Sequence, residues 1–208
     1  MAAAHVPAQT AFATKPDLAL AMIGGAITAE VPFSWVAADS VYDVGGIETA
    51  LRRAGKGYVL GVNANRPFNS WDKPQPVTGT AAAIAGKLSP DSWARLSAGG
   101  GTKGERLHDW AYLELADLDA ADYNDALDGQ WTRGLLIRRN IANGDLAYFS
   151  TWGPAGTGIE TLVRVEGHRW RSRTASRRPR TSWASTTTRP APGTAGIVTS
   201  LSSCWPSP

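Results

Sequence analysis

The sequence predicts a mixed α/β protein: a parallel β-α-β unit, then a mainly antiparallel set of strands, then a basic tail without a core. Three observations predict it. The apolar runs at residues 33–38 and 58–62 flank a segment in which Ile47, Ala50, Leu51 and Ala54 recur at helical spacing. Strand, helix and strand in that order make a crossover and a parallel pair. Residues 109–115, 131–138 and 146–152 are strand-like, and Asn143-Gly144 is a turn signal before the last of them. From residue 171 onward, 26 of 38 residues are Ser, Thr, Pro or Arg, and Asp and Glu vanish. Such a segment cannot bury a core and is expected to be disordered.

The elements follow in order. Thr14 as N-cap, Pro16 in the first turn and Asp17 at N3 start a helix that runs to about Glu30. Val31-Pro32 leads into the first buried strand, which ends at Asp39. Gly45-Gly46 opens the crossover helix and Gly55 closes it before the second strand. Residues 66–76, rich in Pro, Asn and Asp, read as a crossing loop. Residues 80–88 read as a short helix, and residues 92–96 as another helical turn. Thr157-Gly158-Ile159-Glu160 opens a last helix with Ile159, Leu162, Val163 and Glu166 along one face. The expected divisions are 1–65 for the parallel unit, 66–155 for an inserted β-rich module, 156–170 for the start of a C-terminal helix and 171–208 for the tail.

Charge is unevenly distributed. The formal net charge of the 208 residues is +3, yet residues 171–208 hold six Arg and no acid. Residues 1–170 keep 15 basic and 18 acidic side chains, so an electrostatic case for nucleic acid rests on the tail or on local patches. Cys204 is the single cysteine, which excludes an intrachain disulfide and a cysteine-based zinc site. No run approaches a membrane span and the first residues lack a signal-peptide pattern, so the expected location is cytoplasmic, with no membrane partner.

Few residues point to chemistry on their own. Asp39, at the carboxyl end of a buried strand, occupies the usual place for function in such sheets. A lone carboxylate there is most often a turn or cap residue, and a hard divalent cation needs further carboxylates. Asp43, Asp72, Asp109 and Glu166 are candidates, but no spacing ties them to Asp39. His5, His108 and His168 lack metal-ligand spacing. Residues 99–104, Gly-Gly-Gly-Thr-Lys-Gly, lack the order of a phosphate loop and read as a flexible connection. Arg52, Arg53, Lys56, Lys103, Arg106, Arg138 and Arg139 are able to face a phosphate backbone. Arg138 and Arg139, being neighbours on a strand, point to opposite faces.

The block VPFSWVAADSVYDVGGIETALRRAGKGYVLGVNAN, followed by GTKGERLHDWAYLEL, WTRGLLIRRN, AYFSTW and IETLVRVEGHRW, resembles the DDE superfamily transposases of bacterial insertion sequences. The resemblance covers about residues 10 to 170. It implies a partial RNase H-like fold carrying the inserted, mainly antiparallel β module. Family members use three carboxylates to hold two Mg2+ or Mn2+ ions for DNA strand cleavage and transfer. Asp39 matches the second family Asp, and so is the expected catalytic and metal residue. Tyr42 completes an Asp-x-x-Tyr signature, although Asp43 stands where the family has Gly. The first family Asp is expected upstream of the helix before Asp39, and no segment here matches it. The family Glu follows the Arg-Trp pair by three positions, where Arg169-Trp170 is followed by Arg173.

The expectation is therefore a transposase fragment, truncated at the N-terminus and out of frame after Trp170, in which Mg2+ or Mn2+ is not productively bound. Lys103, Arg106, Arg138, Arg139 and Arg169 are the expected DNA-facing residues, with Trp170 supporting. The implied partners are DNA, at insertion-element terminal inverted repeats, and an intact transposase copy. The alternatives are a non-catalytic DNA-binding regulator of transposition and an unstable product without function.

Overall fold

The computed structural model describes residues 13–40, 44–70, 77–101, 104–115, 130–175 and 197–199. The fold is mixed α/β, as expected, and centres on a seven-stranded mixed sheet.

Helix α1 spans Lys15–Thr28 and starts at the expected capping box, in which Thr14 Oγ1 accepts from the Asp17 amide and the Asp17 carboxylate accepts from the Thr14 amide. Strand β1 (Trp35–Ala38), helix α2 (Val44–Arg53) and strand β2 (Gly57–Val62) form the β-α-β unit, with Trp35 opposite Gly57 and Ala38 opposite Leu60 in parallel register. All six β2 residues are buried, which explains a continuous apolar run where a half-exposed strand would alternate.

The strands expected in the inserted β-rich module pair into the same sheet. Strands β5 (Ala94–Gly101), β6 (Gly104–Leu115), β7 (Trp131–Arg139) and β8 (Leu146–Pro154) run antiparallel, and β8 pairs antiparallel with β2; with β9 (Ile197–Thr199) the order is β5-β6-β7-β8-β2-β1-β9. Gly144 makes the β7–β8 turn at φ 75°, in the left-handed region that glycine enters without strain.

Several segments differ from the expectation. Residues 94–96, expected as a helical turn, belong to β5, and Gly99–Gly101, expected as a flexible connection, continue it past an irregularity between Ser97 and Gly100. Pairing with β6 overrides local helix preference here. The helical turn lies just before, as a 3-10 segment at Pro90–Ser92. Within the expected crossing loop, β3 (Pro67–Ser70) pairs with β4 (Val77–Thr80) in a small hairpin, burying Phe68 and Ser70 on alternate positions, before helix α3 (Ala81–Ala85). The last helix, α4, spans Ile159–Ala175 and so enters the segment read as tail. Ile197–Thr199 forms β9, parallel to β1, at the end of the sheet. The expected disorder of residues 176–196 and 200–208 lies outside the described residues.

Strand alternation divides the core between the two faces of the sheet. Val36, Tyr58, Leu60, Leu135 and Ile137 pack with Ile23 of α1 and with Ile47 and Leu51 of α2. Ala37, Val59, Leu136 and Phe149 pack on the other face with Leu162, Val163 and Val165 of α4. Three tryptophans serve this core: Trp152 stacks on Trp131 with centroids 4.1 Å apart and lies 6.2 Å from Tyr58, while Trp110 packs beside Phe149. At Gly167 α4 rests directly on the β5 backbone; a Cβ there would collide with the Ala98 carbonyl, whose carbon lies 2.8 Å from the ideal Cβ position.

Candidate functional site

Asp39 follows the last residue of β1, where the chain leaves the sheet. The neighbouring strand must let it pass closely: a Cβ on Gly61 of β2 would lie 2.7 Å from the Ser40 backbone nitrogen. Glycine at this position of β2 therefore admits the turn that carries Asp39. A cleft of about 320 Å³ opens there, lined by Asp39, Ser40, Gly61, Asn63, Arg138, Tyr148 and Arg169 among others.

The carboxylate is already engaged. Asp39 Oδ1 accepts from the Ser40 amide at 2.9 Å, and Oδ2 accepts from Arg169 Nη1 at 2.7 Å. Arg169 also donates through Nη2 to Glu166 Oε1 at 3.0 Å, and the same oxygen accepts from Arg138 Nη1 at 2.9 Å. Asp39, Arg169, Glu166 and Arg138 thus form a chain of alternating charge. Arg169 and Glu166 are three residues apart on α4 and face inward, with 5% and 1% of their side chains exposed. The Arg138 guanidinium lies 5.8 Å from the Phe149 ring centroid and 6.0 Å from that of Trp110. Glu166 Oε2, buried, has no hydrogen-bond partner.

Nearby titratable groups are tuned by burial and by partners. His108, edge-on to Trp110, is held below the usual imidazole value, first by burial and then by the charge of Arg138. Asp109 is held below the usual carboxylate range, chiefly by the hydrogen bond from Arg95 at 2.9 Å.

The expected site residues separate on this frame. Asp39 and Arg169 meet directly and Arg138 joins them through Glu166. Arg169, expected to face DNA, points into the protein, because two carboxylates inside offer more than solvent does. Arg106 is also turned inward, donating to the Ala98, Gly99 and Gly167 carbonyls and pinning α4 to β5. Arg139 takes the face opposite Arg138, with its guanidinium 4.2 Å from the Trp93 ring centroid and bonded to Asp109 at 3.1 Å. Tyr42 and Lys103 lie outside the described residues, as do Asp43 and Asp72; Trp170 lies within α4. Glu166 was one of four candidate carboxylates, with no spacing to tie it to Asp39. Its signal was a carboxylate on the same helix face as Leu162 and Val163, a position that requires a buried counter-charge.

Enzymes with DDE domains generally use divalent metal ions. The arrangement at Asp39 does not suit a pair of them. Both its oxygens are engaged, Glu166 Oε1 is shared by two guanidinium groups, and no cluster of three or more His, Cys, Asp or Glu able to hold a metal occurs among the described residues. None of their helices is long and apolar enough to cross a membrane.

Comparison with known proteins agrees with the resemblance seen in the sequence. No curated protein matches the chain. The model of the family described as DDE superfamily endonuclease matches residues 1–109, a stretch that includes Asp39 and the whole β-α-β unit. Because that match spans more than half of the 208 residues, the chain belongs to the DDE superfamily endonuclease family.

Proposed function

We propose that this chain is a catalytically silent remnant of an insertion-sequence DDE transposase. In the intact family, two divalent cations held by three carboxylates activate the attacking oxygen and stabilise the leaving one. The observation that carries the reading is the engagement of Asp39: the one carboxylate matched to that triad is bound by Arg169, inside a chain of alternating charge in which both of its oxygens are already engaged. Arg173, standing where the resemblance expects the last carboxylate, supports the same reading.

The test uses the purified chain, supercoiled DNA carrying terminal inverted repeats, and Mg2+ or Mn2+, with Asp39→Ala as control. No nicking or strand transfer is expected. Reproducible nicking that Asp39→Ala abolishes would overturn the proposal.

A second reading, a DNA-binding regulator, is favoured by the six Arg after residue 170. It expects duplex binding that weakens steeply with salt and loses most of its salt dependence when those arginines are replaced by Gln. Preference for terminal repeats that survives the replacement would instead assign recognition to residues 1–170.

A further inference from the structure

We infer that Asn143-Gly144, in the turn between β7 and β8, is a site of spontaneous deamidation that the folded turn holds in check through Asp145, so that it reacts chiefly when the turn opens. It is the single Asn-Gly pair in the sequence. Such a pair is intrinsically labile, because glycine has no Cβ to keep its amide nitrogen away from the preceding carboxamide. Every residue from Ile141 to Leu146 is exposed, so water has free access. The reaction needs none of the groups around Asp39.

The step balances with water alone. The Gly144 amide nitrogen, having lost its proton to solvent, attacks Asn143 Cγ. The new N–C bond closes a succinimide, the Cγ–Nδ2 bond breaks, and ammonia leaves with a proton returned from solvent. One water then opens the ring at either carbonyl, giving aspartate or isoaspartate, and nothing is oxidised or reduced.

Contacts within the turn oppose the attack. The Gly144 N–H donates to the Asn140 carbonyl at 2.8 Å, so the attacking nitrogen keeps its proton and is directed at another group. Asn143 Oδ1 accepts from the Asp145 amide at 3.2 Å, and Nδ2 donates to the Asp145 carboxylate. With a donor facing one end of the carboxamide and an acceptor facing the other, its orientation is fixed. Bringing Cγ onto Gly144 N requires rotation about the bonds of Asn143, which breaks these contacts. Conversion also works against the turn that delayed it. The new carboxylate sets a like charge where Nδ2 donated to Asp145, and isoaspartate adds a backbone carbon between Asn140 and Asp145, whose amide and carbonyl pair at 2.9 Å.

The test incubates the full chain at mildly alkaline pH, folded or in guanidinium chloride, and sequences by mass spectrometry the tryptic peptide that follows Arg139. Asn140 lies in the same peptide before β-branched Ile141, which shields it, and serves as the slow internal reference. Asn143 is expected to convert at least about tenfold faster unfolded than folded, equivalent to about 1.4 kcal/mol on the barrier. Asp145→Ala or Asp145→Ser, with the circular dichroism of wild type, is expected to speed conversion in the folded protein toward the unfolded rate. Equal rates in folded and unfolded wild type would overturn the proposal, as would an unfolded Asn143 no faster than Asn140. So would a folded Asp145 variant that converts no faster than wild type; a slower one would make Asp145 a proton donor to the leaving ammonia instead of a restraint. Failure of both variants to fold would also sink it, because Asp145 would then hold the strands together and not the carboxamide.

Discussion

Gly167→Ala is expected to destabilise the protein, although glycine inside a helix is normally a liability. Alanine would gain about 1 kcal/mol of helix propensity in α4. The new Cβ would meet the Ala98 carbonyl, with its carbon 2.8 Å away where nonbonded carbons settle at about 3.5–4.0 Å. That neighbour is backbone and cannot rotate aside, so α4 must move off β5 by about 1 Å, at an overpacking cost of about 1–3 kcal/mol. The displacement also stretches Arg106, which joins β5 to α4 through the Ala98 and Gly167 carbonyls, and a hydrogen bond from a charged donor contributes about 1.5–3 kcal/mol. Part of that is lost, giving a net destabilisation of about 1–4 kcal/mol. For a chain of this size each kcal/mol lowers Tm by about 2–4 °C. Urea unfolding followed by far-ultraviolet circular dichroism and Trp fluorescence measures the change. The control is Gly24→Ala in α1, where nothing lies within 4 Å of the added methyl and the same substitution is expected to stabilise by up to about 1 kcal/mol. If Gly167→Ala is as stable as wild type, or gains as Gly24→Ala does, the direct seating of α4 on β5 is wrong.

Other outcomes follow from the same interior. Glu166→Ala leaves Arg138 and Arg169 facing each other across a buried space and is expected to cost about 3–5 kcal/mol in the same unfolding experiment, with Glu166→Gln costing less because its amide oxygen still accepts. Trp152→Ala removes a 3%-exposed ring stacked on Trp131, with an expected cost of about 3–5 kcal/mol and a change in near-ultraviolet circular dichroism. His108 titrates lower when folded than unfolded, so as pH falls through its ordinary value, near 6.5, the unfolded state takes the proton first. Stability from neutral His108 is present above that pH and declines below it until the folded His108 protonates as well. Denaturant midpoints measured from pH 8 to pH 5 are expected to fall less in His108→Gln than in wild type.

How far the sequence revealed this arrangement depended on the range of each interaction. The α1 start was legible because Thr14, Pro16 and Asp17 act within one turn, and the β1-α2-β2 unit because two buried strands around an amphipathic helix admit few packings. The role of residues 94–101 was hidden, since what makes Ala94–Gly101 a strand is Leu107, His108, Asp109 and Trp110 across the ladder, not its own Gly-rich composition. At the site, the position of Asp39 at the end of a buried strand was legible. Its engagement by Arg169 was not, because the pair joins the end of β1 to the middle of α4 and no local spacing records it. Arg138 and Arg139 were correctly assigned to opposite faces by strand alternation; their separate partners, Glu166 and Asp109, depend on tertiary packing.

The antiparallel pairing of β8 with β2 also orders events during synthesis. Tyr58 must wait for Trp152 and Val62 for Tyr148, so the free edge of β2, apolar along its whole length, leaves the ribosome long before its partner exists. At about 5–20 residues per second the interval is on the order of 5–20 s, far longer than a helix or hairpin needs to form. Through that interval the β-α-β unit carries an unprotected ladder of backbone donors and acceptors, a template for pairing with another nascent copy. The edge of β2 therefore depends for its protection on a strand made long after it.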